Sequence, residues 1–162
     1  GMTLSLDAGW QESQDWDNGL SKVLPYIDVF FPNESEVCGI GGSDDVKQAA
    51  RRVHAMMGDG TLVVKRGPQG ALAVCGDEII EQSAYETIVI DTSGAGDSFN
   101  AGFLYAYLHN KGLTECLTYG NAAGAVSVTR IGGTSQCPTL PEVEQCIRHG
   151  RVTDPARTTS PS

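Results

Sequence analysis

Short apolar runs alternate along the chain with stretches whose apolar residues recur at helical spacing. TLSLDA (3–8) alternates weakly and predicts a strand. Asp15 to Tyr26 holds a short amphipathic stretch that ends near Pro25. IDVFF (27–31) is a continuous apolar run, as in a strand covered on both faces, and it stops at Pro32. GGSDDVKQAARRVHAMMGDG (41–60) predicts a helix, with Ser43 as N-cap, Asp44 and Asp45 at the positive end, and Gly58 as the stop. TLVVKRG (61–67) and ALAVC (71–75) predict a hairpin around a Gly-Pro-Gln-Gly turn. TIVID (87–91) predicts another buried strand. Helices are expected over Ala95–Asn110, ended by Gly112, over Leu113–Thr129 and over Leu140–Arg148. The Ala- and Gly-rich second of these has to pack closely against a neighbour. From Gly150 the chain is polar, with Pro and Ser, and predicts a disordered tail over 150–162 after a domain spanning 1–149.

Strands alternating with helices imply an α/β layer fold with a mostly parallel sheet and one antiparallel hairpin. Composition agrees with a globular domain: 162 residues, 40% hydrophobic and 19% charged. A net charge of −9 removes nucleic acid and anionic membranes from the expected partners, because both need a basic field. Backbone amides still allow local anion binding. The five cysteines are odd in number and lack C-x-x-C spacing, which suits thiols in a reducing cytoplasm rather than a disulfide framework or zinc site. No ligand spacing surrounds His54, His109 or His149. No apolar stretch approaches the roughly 20 residues of a membrane span. Gly1 ahead of Met2 reads as a residue left by tag removal, with the natural start at Met2 or upstream.

Ligands of open α/β sheets lie outside the carboxyl ends of the strands, here 32–36, 65–70 and 91–97. The last of these, DTSGAGD, joins an apolar run to a helix. Gly94 and Gly96 permit a sharp turn, and the free amides of 94–97 can converge on an anion. Asp97 falls in the first helical turn. It reads either as an acid favouring the helix N-terminus or as a general base for a hydroxyl arriving beside the loop. A Walker loop needs G-x-x-x-x-G-K-[ST], which the chain lacks. A dinucleotide fingerprint would need a small residue where Phe99 stands. Asn33 and Glu36 have the spacing of a capping box, and Lys65 that of a solvated strand end. Asp91 reads as a strand-end acid, and Asn121 as the cap of a helix turn.

Asp91-Thr92-Ser93-Gly94-Ala95-Gly96-Asp97-Ser98-Phe99-Asn100-Ala101-Gly102 resembles the C-terminal motif of the PfkB/ribokinase-like carbohydrate kinases. In the family's order, Pro32-Asn33-Glu34-Ser35-Glu36 resembles its N-x-x-E element. Lys65-Arg66-Gly67-Pro68-Gln69-Gly70 resembles its nucleotide-side turn, and Asn121-Ala122-Ala123-Gly124-Ala125 the helix flanking the adenine. The resemblance implies a ribokinase-like three-layer α/β/α fold and ATP-dependent phosphoryl transfer to a sugar hydroxyl. Asp97 would be the base, and the Gly94, Ala95 and Gly96 amides the anion hole. Lys65 would contact ATP phosphates, Gly67 and Gly70 would let adenosine lie against backbone, and Asn121 would border the adenine or ribose. Asn33 and Glu36 would organise Mg2+ through water. Potassium or another monovalent cation would take the Asp91 side chain and carbonyls around Ser93, Ser127, Arg130 and Gly132, with Gln136 standing where the family often has Ser.

The matches cover residues 3–149 but only the family's C-terminal half. The β-lid and most sugar-contacting acids belong to the other half, so the chain reads as a fragment, natural or made, with an apolar strand edge that favours self-association or a homodimer. Three functions stay open: a sugar kinase, a nucleotide-binding remnant without catalysis, and a kinase of the same fold acting on a nucleoside or vitamin alcohol.

Overall fold

The computed structural model describes residues 2–9, 16, 19–132 and 137–152. The chain divides into two compact units, Gly1–Gly67 with Ala71–Glu81, and Pro68–Gly70 with Gln82–Ser162.

The first unit is built on a sheet of five strands in sequence order: β1 (Ser5–Leu6), β2 (Val29–Phe30), β3 (Thr61–Lys65), β4 (Ala71–Cys75) and β5 (Glu78–Gln82). β1, β2 and β3 run parallel, and β4 returns antiparallel to β3 with Lys65 opposite Ala71. Val29, Phe30, Leu62, Val63 and Val64 are fully buried, which is why these apolar runs do not alternate. Helices α1 (Leu20–Val23), α2 (Glu34–Gly41) and α3 (Val46–His54) belong to this unit. Leu24, Val37, Ala50 and Val53 join Phe30, Leu62 and Leu72 in one apolar core.

Three expectations change here. Asp45, not Ser43, caps α3: its Oδ1 accepts from the Gln48 amide at 2.7 Å, while the Ser43 hydroxyl accepts from the Asp45 amide at 3.3 Å. The helix stops at His54, several residues before Gly58. β5 was not expected, because EIIEQ places charges at both ends of an apolar pair that stays half-buried. Of the amphipathic stretch 15–26, residues 15, 17 and 18 lie outside the described residues; α1 and a 3-10 turn over Leu24–Tyr26 form its remainder.

The second unit holds α4 (Ala95–Leu108), α5 (Leu113–Ser127) and α6 (Leu140–His149). Gly112 is the N-cap of α5 rather than the end of α4. The small residues of α5 do pack closely. A Cβ on Gly120 would stand 2.9 Å from the Phe99 ring, and one on Gly102 would stand 2.5 Å from the Tyr119 carbonyl. Ala122, Ala123 and Val126 form a second core with Val143 and Cys146 of α6.

The expected buried strand over 87–91 is absent. Ile88, Val89 and Ile90 are 81, 58 and 56% exposed. The Ile90 and Asp91 amides donate to the Val128 carbonyl at the end of α5, at 2.7 and 3.2 Å, instead of to a neighbouring strand. An apolar run becomes a strand only when a ladder partner lies beside it, and none does among the described residues. Of the tail expected from Gly150, Arg151 instead pairs with Glu86 in an isolated parallel bridge and Val152 packs on the second core. Residues 153–162 lie outside the described residues. Among the described residues no helix is long and apolar enough to cross a membrane.

Candidate active site

The parallel strands of the first unit bring Asp7, Asn33, Glu36 and Lys65 together at their carboxyl ends. Asn33 bridges Lys65 in the parallel direction just beyond β2 and β3. Asn33 then caps α2: its Oδ1 accepts from the Glu36 amide at 2.9 Å, and Glu36 Oε2 accepts from the Asn33 amide at 2.7 Å. The capping box anticipated from the spacing is therefore formed in full. Glu36 is only 4% exposed, and burial pushes its carboxyl above the usual carboxylate range. The Asn33 amide opposes that rise, Asp7 adds to it, and Lys65 opposes it.

Lys65 is not a solvated strand end. Its ammonium donates to Asp7 Oδ2 at 2.5 Å. Arg66 points into a separate network, with Nε 2.9 Å from Glu34 and Nη1 3.1 Å from Glu81. Asp7 was missed because its pairing spans 58 residues of sequence and belongs to no local motif. The donor set fits a hydrated magnesium ion. Asn33 and Glu36 present an amide oxygen and a carboxylate, the hard oxygen donors magnesium takes, and one carboxylate oxygen of Glu36 stays outside the capping box.

The two glycines of the nucleotide-side turn differ. A Cβ at Gly67 meets nothing within 4 Å, so that backbone faces open space. Gly70, at φ +92°, would place a Cβ 2.0 Å from the Gln82 carbonyl and 2.6 Å from the Ala84 amide. Its lack of a side chain is thus required by the chain itself, without any ligand. Asn121 addresses the same segment. It is buried, and its Nδ2 donates to the Gln82 and Ser83 carbonyls at 3.1 and 3.2 Å. Asn121 therefore ties α5 to residues 82–83 rather than capping a helix turn.

The 91–97 loop is organised from both ends. The Thr92 carbonyl accepts from the Ala95 amide at 3.2 Å, closing a turn with Gly94 in its third position at φ 73°, ψ 5°. That is the left-handed conformation a type II turn demands, and glycine adopts it without steric cost. Gly94 is also the N-cap of α4, with no side-chain cap bond. The first bond of the helix runs from the Ser98 amide to the Gly94 carbonyl at 2.9 Å. The Ala95 amide, expected in the anion hole, is thus engaged with Thr92, while the Gly96 and Asp97 amides have no intrahelical acceptor. Asp97 is exposed in this first turn. It borders a cavity of about 390 Å³ whose walls also include Gly94, Tyr105, Tyr119 and Val143.

Asp91 fastens the loop. Its Oδ1 accepts from the Ser93 amide at 2.9 Å and its Oδ2 from the Gly132 amide at 3.2 Å, and these bonds, Ser93 foremost, hold its carboxyl below the usual range. The Ser127 carbonyl accepts from the Arg130 amide at 3.3 Å. Asp91, Ser93 and Gly132 are thus brought together by amide bonds of their own. These hydrogen bonds support the loop.

The model of the pfkB family carbohydrate kinases matches residues 4–140. The chain belongs to this family. It is 35% identical over 136 residues to an uncharacterized sugar kinase of Archaeoglobus fulgidus, covering 84% of this chain and 54% of that one. It is 32% identical over 132 residues to the ribokinase of Haemophilus influenzae, covering 79% and 43%. Among solved structures, the Arabidopsis thaliana ribokinase complexed with ribose and ATP superposes with a TM-score of 0.79 at 28% identity, covering 90% of this chain and 47% of that one. The fold is therefore that of the ribokinases, and the chain spans about half the length of the relatives it matches. All the motifs at the strand ends fall inside the pfkB match.

Proposed function

We propose that this chain carries the nucleotide side and the base of an ATP-dependent kinase that phosphorylates a hydroxyl of a sugar or a nucleoside. The observation that carries this reading is the start of α4: a helix N-terminus left without a side-chain cap, two amides lacking intrahelical acceptors, and an exposed carboxylate in the same turn. An anion is favoured there by the amides and the helix dipole. Phosphoryl transfer is served mainly by positioning and by charge stabilisation, which such amides supply.

In this reading Asp97 accepts the proton of the acceptor hydroxyl as its oxygen attacks the γ-phosphorus, and ADP leaves. The Gly96 and Asp97 amides steady the phosphoryl oxygens, and the Gly94 turn keeps side chains out of their way. Lys65 meets the nucleotide phosphates, and the open backbone at Gly67 takes the nucleoside. Gly70 and Asn121 act at one remove, by fixing residues 82–84. Magnesium would be held through water by Asn33 and Glu36, where it would neutralise phosphate charge.

The test is a coupled kinase assay of this chain with ATP and a panel of ribose, fructose, adenosine and cytidine. Asp97→Asn is expected to lower turnover at least ~100-fold, the scale of general-base catalysis, and to leave the ATP dissociation constant within about threefold. Equal turnover by the variant would remove Asp97 from the role of base. ATP binding without turnover on any acceptor would leave the chain a nucleotide-binding module.

A further inference from the structure

The strand-end cluster of the first unit is unbalanced in charge. Asp7 and Glu36 are acids, and Lys65 is the base paired with Asp7, while neighbouring Arg66 is tied to Glu34 and Glu81. The Lys65 side chain is only 16% exposed and that of Asp7 34% exposed, so their ion pair is partly shielded from solvent. The ammonium meant for a nucleotide is therefore already neutralised, and a buried acid stands beside it.

A free triphosphate entering this place has to displace Asp7 from Lys65 and meets like charge from two carboxylates. A nucleotide carrying a divalent cation presents positive charge to those same carboxylates. We propose that Asp7 makes nucleotide binding conditional on a bound divalent cation, by holding Lys65 and repelling the free nucleotide. This rests on the reading of Lys65 as a phosphate contact. Asp7 acts here as a specificity-determining residue and takes no part in bond making. Its removal has two opposed effects. Freed Lys65 loses orientation, which weakens binding of every nucleotide form. A like charge a few ångströms from a polyanion acts on each phosphate, and that larger effect sets the sign for the free nucleotide.

The experiment is calorimetric titration of the chain and of Asp7→Asn with ATP, once in excess EDTA and once in excess magnesium chloride, with AMP as the low-charge control. For the unsubstituted chain, magnesium is expected to tighten ATP binding at least ~10-fold. Asp7→Asn is expected to tighten free ATP by about tenfold, to change magnesium-bound ATP less than about threefold, and to leave AMP nearly unmoved. Asp7→Glu should restore the magnesium dependence. Asp7→Ser reads the same ratio should the asparagine variant not fold. An unchanged magnesium ratio in the asparagine or serine variant overturns the proposal, as does equal weakening of both ATP forms, which would mark Asp7 as an orienting group only. Absence of ATP binding by the unsubstituted chain under both conditions overturns the nucleotide reading itself, and this proposal with it.

Discussion

At the start of α2, Asn33 and Glu36 close the first turn on each other, whereas α4 starts at Gly94 with no side chain over its amides. α6 repeats the α2 solution, with Thr139 and Glu142 forming a second capping box and Arg130 paired to Glu142. α1 and α5 share the open start, since their N-caps Gly19 and Gly112 make no side-chain cap bond either, but at α4 the open turn borders the cavity beside Asp97. A closed cap stabilises its helix from within, by about 1 kcal/mol. An open one has to be held from outside. α4 is held by Phe99 against Gly120 and by Gly102 against the Tyr119 backbone, one and two turns from the loop. Local sequence thus builds the α2 terminus, and tertiary packing builds the α4 terminus.

The largest effect is expected where that external support is broken. Gly102→Val would drive a branched side chain into a Cβ position already 2.5 Å from the Tyr119 carbonyl. Overpacking of this kind costs about 1–3 kcal/mol, and a backbone obstacle puts the expected loss at the upper end, near 3 kcal/mol. Urea unfolding measures it. A loss below about 0.5 kcal/mol, the level of an unremarkable surface change, would mean that α4 is not braced by this crossing.

Gly94→Ala comes next. Holding alanine at φ 73° costs about 1–2 kcal/mol. Gly94→Asn should cost less, because asparagine tolerates the left-handed region, yet its side chain would lie over the amides that α4 leaves open. The comparison therefore sharpens if the asparagine variant is the more stable of the two while binding inorganic phosphate no better than the alanine variant. Phosphate binding retained in full by both would count against an anion site at this loop.

These differences explain how much could be read from sequence. DTSGAGDSFNAG was legible because the turn, the missing cap and the acid are consecutive residues, and each residue type has few alternative uses. The Asn33–Glu36 pair was equally legible as spacing, and the structure turns it into a formed capping box. Asp7 was not legible: its importance comes from Lys65, which the parallel order of β1, β2 and β3 brings to it. The family motif implies a nucleotide-side role for Gly70 and Asn121, and the structure adds a shared contact with residues 82–84 that no local pattern announces. The run TIVI carries every sign of a buried strand and fails to be one, because burial depends on what lies alongside it. Asp45 took the cap from Ser43 for a subtler reason. Both are good caps, and Ser43 serves better two residues earlier, accepting from the Asp45 amide.

A smaller effect is expected at α2. Asn33→Ala removes the side chain that accepts from the Glu36 amide, at a cost of about 1 kcal/mol. Asn33→Ser should recover most of that loss, since serine caps nearly as well, and thermal unfolding of both variants separates cap from bulk. If serine does not recover stability, the bridge to Lys65 rather than the cap is the contribution of Asn33.

The finest distinction between the two termini is their response to acid. Glu36 is raised above its ordinary 4.5 by burial, so the stability linked to it is fully present below pH 4.5 and is lost as pH rises through the folded value. Asp91 is lowered below its ordinary 3.8 by the Ser93 and Gly132 amides, so its contribution is present above pH 3.8 and is lost as pH falls through the folded value. Glu36→Gln keeps an acceptor for the Asn33 amide and removes the charge. Its thermal midpoint should exceed that of the unsubstituted chain at pH 7, and the gap should close as pH falls toward 4.5. Asp91→Asn should show the opposite slope: below the unsubstituted chain at pH 7, and converging with it only in stronger acid. Because Asp91 is only partly buried, added salt should shrink the charge part of its effect more than that of buried Glu36. Parallel curves for Glu36→Gln and the unsubstituted chain from pH 7 to 4.5 would show that closing the α2 cap imposes no strain on its carboxylate, and the contrast with the open terminus of α4 would then be one of geometry alone.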